Sequence, residues 1–586
     1  MRIGVRCVQI NQAAIALAVA ATVALSSAPM AWAAAEQAVA MPTVATHGMP
    51  HLEQQHGATQ LVVNGRPFLA IGGELQNSSA SSLKFMDEQV WPKAVAMHFN
   101  TVIAPVYWDL IEPQQDRFDF TTVDGLIAGA RARHIKLVLL WFGTWKNSMS
   151  CYVPDWVKEN QTRFPRAESA DGRKLEILSA VSKSNLDQDK AAFVALMRHL
   201  KQIDGAQHTV ILVQVENEVG MIEVGLVFAP GGVQPRDQSP AANQAFQQPV
   251  PSALTDYLKQ HQATLQPWLK QIWESHGATT GASWTATFGP GPVTDDLFTT
   301  WTEAQYTSQV AAAGEKVYPL PMYVNAALVG PGNPVGTVPN GAPLPQLFDL
   351  WRAAVQATGG AINFFSPDIY SPNFKHWADA YAQPWNPLFV PESGGASPAN
   401  LGVNALYAFG EHNAMGYSVY APEFLPADQQ KALGDAYDVI RQITPLILQK
   451  QGTAEMVGIR TPMSRSGKED LSPQTFQLGG YQFTAQFTHQ SYAQRGKPLP
   501  GAHGGLVIAM GPNQFLIAGT GMSLQFSGTG KPGAQAGIDS IWEGQFVDGK
   551  WTPGRELNGD DDHQGRWLPL PSNQLVLRMV RLYPCQ

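Results

Sequence analysis

Cysteine is scarce: the 586 residues carry three. Cys7 lies in the N-terminal leader, and the other two, Cys151 and Cys585, could pair in an oxidising compartment but cannot staple a fold of this size. An apolar core must therefore hold the chain together. Charge is also sparse. Asp, Glu, Lys and Arg make up 15% of the residues, the formal net charge is −8, and no basic stripe is present, so no nucleic-acid partner is expected. The histidines are scattered, with no His-Glu-x-x-His spacing and no CxxC pair, and neither a metal nor a cofactor is expected. The absence of a Gly-x-Ser-x-Gly elbow argues against an esterase. Tandem repeats and coiled-coil heptads are missing too.

One hydrophobic run stands out, at the N-terminus. Arg2 and Arg6 precede the apolar run Ala13 to Leu25, and Ala31-Trp32-Ala33 follows before Ala34. That is the pattern of a signal peptide over residues 1–33, with export to the periplasm or outside the cell. No second stretch is long enough to cross a bilayer, so no membrane span is expected after cleavage. Residues 34–57 read as a leader onto the folded part.

A hairpin around Asn64-Gly65 is followed by apolar runs alternating with helical patterns, the signature of βα units. Eight runs can be counted: Leu69 to Leu75, Thr101 to Tyr107, Lys136 to Phe142, Val210 to Glu218, Met322 to Leu328, Ile362 to Ile369, Leu388 to Glu392 and Met415 to Tyr420. They predict a closed α/β (β/α)8 TIM barrel over residues 58–445, in preference to a doubly wound sheet. Helices are expected between the runs, including one from Ala253 to Ser275. The connection between the fourth and fifth runs is long. Its aromatics, Trp284 to Phe288 and Phe298 to Tyr306, suggest a rim of the substrate cleft, shared with a second subunit if the chain forms a homodimer. The helical period ends after Ile443, and short alternating runs over 446–586 predict an antiparallel β-sandwich-like domain.

Two of the barrel runs deliver an acid at the C-terminal end. Gln214-Val-Glu-Asn-Glu-Val-Gly220 ends the fourth, and Pro391-Glu-Ser-Gly-Gly395 ends the seventh. Hydrolysis of a glycosidic bond with retention needs one carboxyl to protonate the leaving oxygen and a second, about 5 Å away, to attack the anomeric carbon. Glu218 and Glu392 are the candidates. A strand period of two places Gln214, Glu216 and Glu218 toward the barrel interior, with Glu216 a layer below as a structural carboxyl. Asn217 then falls on the wrong side unless the strand kinks. Glu74, Asn77, Tyr107, Trp108, Trp145 and Asn147 lie at or just after strand ends, where groups that bind sugar hydroxyls or stack on sugar rings would stand. For each aromatic, packing in the core or rim is the competing explanation.

The glutamate motifs, together with Gly72-Gly-Glu-Leu-Gln-Asn77, Pro105-Val-Tyr-Trp-Asp-Leu-Ile-Glu-Pro113 and Leu140-Trp-Phe-Gly-Thr-Trp145, resemble the large clan of retaining glycosidases built on (β/α)8 barrels. Within that clan the chain looks most like the β-galactosidases of glycoside hydrolase family 35. The tail resembles an uncharacterised β-domain found in a bacterial branch of that family. This chain has Val219 where many members have an aromatic. The resemblance implies Glu218 as acid/base, Glu392 as nucleophile, Asn217 as a ligand of the sugar 2-hydroxyl, and Tyr370 as a hydrogen-bond partner of Glu392. It also implies β-galactoside oligosaccharides or polysaccharide side chains as substrates, with xyloglucan favoured. Another retaining β-glycosidase (a glucosidase, mannosidase or arabinosidase), or a carbohydrate-binding protein on a decayed scaffold, remains an open alternative.

Overall fold

The computed structural model describes residues 48–221, 236–328, 335–336, 341–464, 467–491, 494–529 and 535–585. The expected signal peptide, residues 34–47 of the leader, residues 222–235 of the long connection and the side chain of Cys585 lie outside the described residues.

Each of the eight apolar runs forms a strand. They span Ala70–Glu74, Thr101–Tyr107, Lys136–Lys146, Val210–Asn217, Met322–Ala327 and Ile362–Ile369, then a seventh in two pieces, Phe389–Val390 and Glu392–Ser393, and Gly416–Tyr420. All neighbours pair in parallel. The first piece of the seventh strand pairs with the eighth strand and the second piece with the sixth. Only Pro391 separates the pieces, so both ends of the hydrogen-bonded path are one strand and the sheet closes on itself. Pro391 also explains the break, because proline has no N–H to give to a ladder.

Long barrel helices flank the sheet, each placed by local chemistry. The helix Lys183–Asp204 starts where the Ser182 hydroxyl accepts from the Asn185 N–H, an N-cap. Ala253 to Ser275 is two helices, Ser252–Gln260 and Pro267–Ser275, because Pro267 holds Gln266 in an extended conformation. Pro292–Glu315 is the longest of the described helices between the fourth and fifth strands, and its aromatics are interior: Phe298, Trp301 and Tyr306 are all buried. The expected aromatic rim of the cleft is thus part of the helix layer. No helix among the described residues is long and apolar enough to cross a membrane.

Three further boundaries differ from expectation. His51–Gln55 pairs antiparallel with Ala58–Val63, so the end of the leader is a strand despite its polar sequence; the Asn64-Gly65 hairpin completes that small sheet. The last barrel helix runs from Ala427 to Lys450 with Pro445 inside it, since the buried stripe Tyr437, Ile440, Ile443 and Ile447 continues past the proline. In the C-terminal region, all ten strands among the described residues belong to one antiparallel sheet in place of the expected two-sheet sandwich. Ile459 and Leu478, from the two end strands, share a core with Phe515 and Val580, so the sheet curls over its own filling. Alternation divides its two faces: Leu506, Ile508, Leu516, Leu577 and Met579 join the barrel core, whereas Val507, Phe515, Ile517, Val580 and Leu582 fill the domain's own.

Candidate active site

The fourth strand is buried along its whole length and ends in a double kink. Glu216 and Glu218 hold φ of 62° and 45°, a left-handed conformation that costs a non-glycine residue about 1–3 kcal/mol. This corrects the parity expected from a straight strand. Glu216 turns away from the mouth, accepting from the backbone N–H of Thr144 (3.2 Å) and Trp145 (2.7 Å) and hydrogen-bonding Asp189 of the helix Lys183–Asp204. Burial, and then the Asp189 charge, hold Glu216 well above the usual carboxylate range. It remains a structural carboxyl, in the helix layer. Asn217 is the residue that turns inward, its Nδ2 3.4 Å from Glu392 Oε1.

Glu392 opens the second piece of the seventh strand, in register with Asp368 of the sixth. The Tyr370 hydroxyl donates to Glu392 Oε2 at 2.6 Å. Gly394 makes room for that ring: a Cβ there would lie 2.8 Å from it. Carboxylate oxygens of Glu218, Asp368 and Glu392 all lie within 4.8 Å of one another. The two glutamates predicted from separate motifs thus face each other, with a third acid that the sequence reading missed.

Asp368 is tied to both neighbours. Asn325 of the fifth strand donates to Asp368 Oδ2 (2.6 Å) and accepts, on its own Oδ1, the backbone N–H of Glu218 (2.8 Å). The third strand is longer than expected, reaching Lys146 opposite Asn217, and so adds a cation. Lys146 Nζ is 3.9 Å from Glu218 Oε2, and the Asn147 amide donates to the same oxygen while accepting from Lys146.

Glu74, Glu218, Asp368, Glu392 and Lys146 make four acids to one base in a buried space, which cannot hold every acid ionised. Burial, then the Glu392 charge, push Glu74 well above the carboxylate range, and Glu74 hydrogen-bonds Glu392. Burial, then the charges of Glu392 and Glu218, do the same to Asp368, which hydrogen-bonds Glu218. Two carboxyl groups in hydrogen-bond contact share a proton, so Glu74 with Glu392 and Asp368 with Glu218 form two proton-sharing pairs. Each strand-end glutamate therefore has a second acid beside it with which to share a proton. The hydroxyls of Tyr323, Tyr370 and Tyr420 are also raised, by burial first and then by these acids, and stay protonated. The group Glu218, Asp368 and Glu392 is the place among the described residues where three carboxylate oxygens could close on a cation.

The remaining predicted residues divide. Glu74 and Asn147 join the acids. Asn77 follows the first strand with its Oδ1 buried and unpartnered, and no contact ties it to the acids. Trp108 is fully buried, donating to Glu112 (2.7 Å) and packing on Trp141 and Trp156. Trp145 is 2% exposed, its indole donating to the Leu178 carbonyl and its ring against Tyr306. Tyr107 is buried between Phe142 and Tyr152. These three rings are buried in the core. The rings at the mouth are Tyr370, 42% exposed, and Tyr420, edge to face with it at 6.0 Å.

Fold and site together define a (β/α)8 barrel whose strand ends bring a proton-sharing group of acids to its C-terminal mouth. Comparison with known proteins adds the following. Residues 433–569 match a family model described as "Domain of unknown function (DUF5597)". The chain is similar to a β-galactosidase of Xanthomonas manihotis, with 30% identity over 197 residues, which is 32% of this chain and 28% of that protein. Among solved structures, it resembles the β-galactosidase from Bacillus circulans sp. alkalophilus, with a TM-score of 0.42 and 15% identity over 65% of this chain and 57% of that one. A second is the catalytic domain of β-amylase from Paenibacillus polymyxa, with a TM-score of 0.45 and 11% identity over 64% of this chain and 99% of that one. The match thus spans little more than a quarter of the curated relative's length.

Proposed function

We propose that this protein is a retaining exo-β-galactosidase that removes terminal galactosyl residues from plant cell-wall glycans, xyloglucan side chains in particular, after export to the periplasm or beyond. The observation that carries the reading is the approach of Glu218 and Glu392 oxygens to within 4.8 Å, in keeping with the about 5 Å that double displacement at one anomeric carbon needs and short of the roughly 6.5–9.5 Å of inverting pairs. The similarity to a named β-galactosidase supports the choice of sugar, and residues 1–33 support export.

In this mechanism Glu218 gives its proton to the glycosidic oxygen as Glu392 attacks the anomeric carbon. The bond to the aglycone breaks, and an ester to Glu392 forms. Glu218, now ionised, takes a proton from water, whose oxygen attacks the same carbon and releases Glu392. Tyr370, Asn217 and Glu74 all donate toward Glu392, which holds its carboxyl group in place for attack. Asp368 holds a proton in contact with Glu218 and can resupply it. Asn217, with its amide turned toward Glu392, is assigned to the sugar 2-hydroxyl, whose contact strengthens in the transition state.

Rates on a panel of nitrophenyl β-glycosides test the sugar. Galactoside turnover well above glucoside, mannoside and arabinoside turnover is expected. Fast hydrolysis of another sugar beside negligible galactoside hydrolysis would replace the substrate, and no hydrolysis of any would remove the activity.

A further inference from the structure

The C-terminal domain reaches the seventh barrel strand through a run of buried polar side chains. Arg460 ends the strand Met456–Arg460 and is buried. Its Nε donates to Asn404 Oδ1 at 3.0 Å and its Nη2 to Asn400 Oδ1 at 2.9 Å. Both asparagines belong to the barrel helix Pro398–His412, whose start is capped by Ser397. With its oxygen taken, Asn404 has its amide left to donate, and it hydrogen-bonds the Tyr417 hydroxyl. Tyr417, on the eighth strand, donates in turn to Ser393 Oγ at 2.8 Å. Ser393 directly follows Glu392.

The contact is close as well as polar. A Cβ at Gly458 would lie 2.7 Å from the Glu411 backbone N, and one at Gly410 3.0 Å from Gly458, so helix and strand meet backbone to backbone. The other guanidinium contacts stay within the domain: the His503 carbonyl (3.2 Å), the Thr461 hydroxyl (3.2 Å) and Glu469 (3.7 Å). His503 Nδ1 sits 3.0 Å from the same Glu469 oxygen. Arg460 therefore sits at the hinge of two networks, one in each part of the molecule. Four buried donors and acceptors in series leave no solvent-exposed link at which to slip.

We propose that the C-terminal domain is a working part of the active site, with Arg460 as a positioning residue that fixes the Glu392–Ser393 strand through Asn404, Tyr417 and the Ser393 hydroxyl. This rests on the reading of Glu392 as nucleophile. Misplacing a nucleophile by a fraction of an ångström slows the attack without weakening substrate binding, so the effect belongs in kcat and not in KM. A residue that merely glued two domains together would change the melting temperature alone.

The test uses the full chain with Tyr417→Phe, which removes only the hydroxyl, and with Arg460→Met and Arg460→Lys. Two quantities are followed: kcat and KM on an aryl glycoside, and amide hydrogen exchange at Gly394, whose N–H reaches the Ile369 carbonyl at 3.4 Å. Tyr417→Phe and Arg460→Met are expected to lower kcat about tenfold with KM within about twofold, and to speed exchange at Gly394. Arg460→Lys should recover little, because an ammonium cannot span Asn404, Asn400 and the His503 carbonyl in one plane. Unchanged Gly394 exchange in folded Tyr417→Phe and Arg460→Met overturns the proposal, whatever happens to the melting temperature. Should the wild-type chain hydrolyse no glycoside, the functional reading fails, and the exchange measurement alone decides the coupling.

Discussion

Two sets of buried acids, only two residues apart at Glu216 and Glu218, meet opposite conditions in this molecule. In the helix layer, Glu216 is held by two backbone N–H groups and Asp189, and Asp296 accepts from the N–H groups of Gly336 and Gly341 and from Thr300. These acids are enclosed and anchored by the backbone. At the mouth, Glu74, Glu218, Asp368 and Glu392 are held mainly by one another and by side chains, with Lys146 as the nearby cation. Sealed acids with fixed partners can only affect stability. Acids that hold protons between them beside an opening can move those protons, and that difference, more than burial itself, marks the site.

Replacing acids one at a time should separate the two sets. The largest effect is expected at Glu392→Gly, which should lower kcat by on the order of 10⁴-fold or more while a galactoside still binds; near-normal turnover would place the nucleophile elsewhere. Glu218→Gln comes next, with a loss of roughly 10²–10⁴-fold on a substrate with a poor leaving group. The loss should shrink on a dinitrophenyl glycoside, whose leaving oxygen needs no proton, and equal losses on both substrates would deny Glu218 its role as acid. Asp368→Asn should cost about tenfold in kcat and move the alkaline limb of the pH profile downward, because Glu218 would lose the carboxyl with which it shares a proton. An unmoved limb would return Asp368 to the structural set.

The smallest effect concerns a sealed acid. Burial pushes Asp296 up to about 6 against the hydrogen bonds of Gly336, Gly341 and Thr300. Its folded state therefore holds the proton more tightly than the unfolded chain does. That contribution to stability is fully present below about pH 4 and is lost as pH rises through 6, on the order of 3 kcal/mol in all. Unfolding free energies measured between pH 4 and 7 should show this slope and lose it in Asp296→Asn, with kcat following neither change. A slope that survives the substitution would assign the titration to another acid.

The barrel was legible because its strands are covered on both faces, so each reads as an apolar run whose terminal polar residue stands out. That same signal found Glu218 and Glu392, and Asp368 carries it too, one residue before the end of Ile362–Ile369. It was passed over because Ser366 and Pro367 break the run just before it. Aromatics at strand ends were left between two explanations for a different reason. Sequence position gives distance along a strand but not the direction a ring takes, and Trp108 found its partner in Glu112, one helical turn on. Parity failed at Glu216 because two left-handed residues at a strand end leave no trace in side-chain chemistry. The link from Arg460 to Ser393 joins residues scattered over four elements, and nothing in their local sequence announces it.

The most direct test of the account is to trap the glycosyl intermediate. Incubation with a 2-deoxy-2-fluoro β-galactoside carrying a dinitrophenolate leaving group, followed by peptide mass mapping, should find one fluorogalactosyl group on the peptide that contains Glu392. A label on a different carboxyl, or hydrolysis that proceeds with inversion and leaves no label, would contradict it.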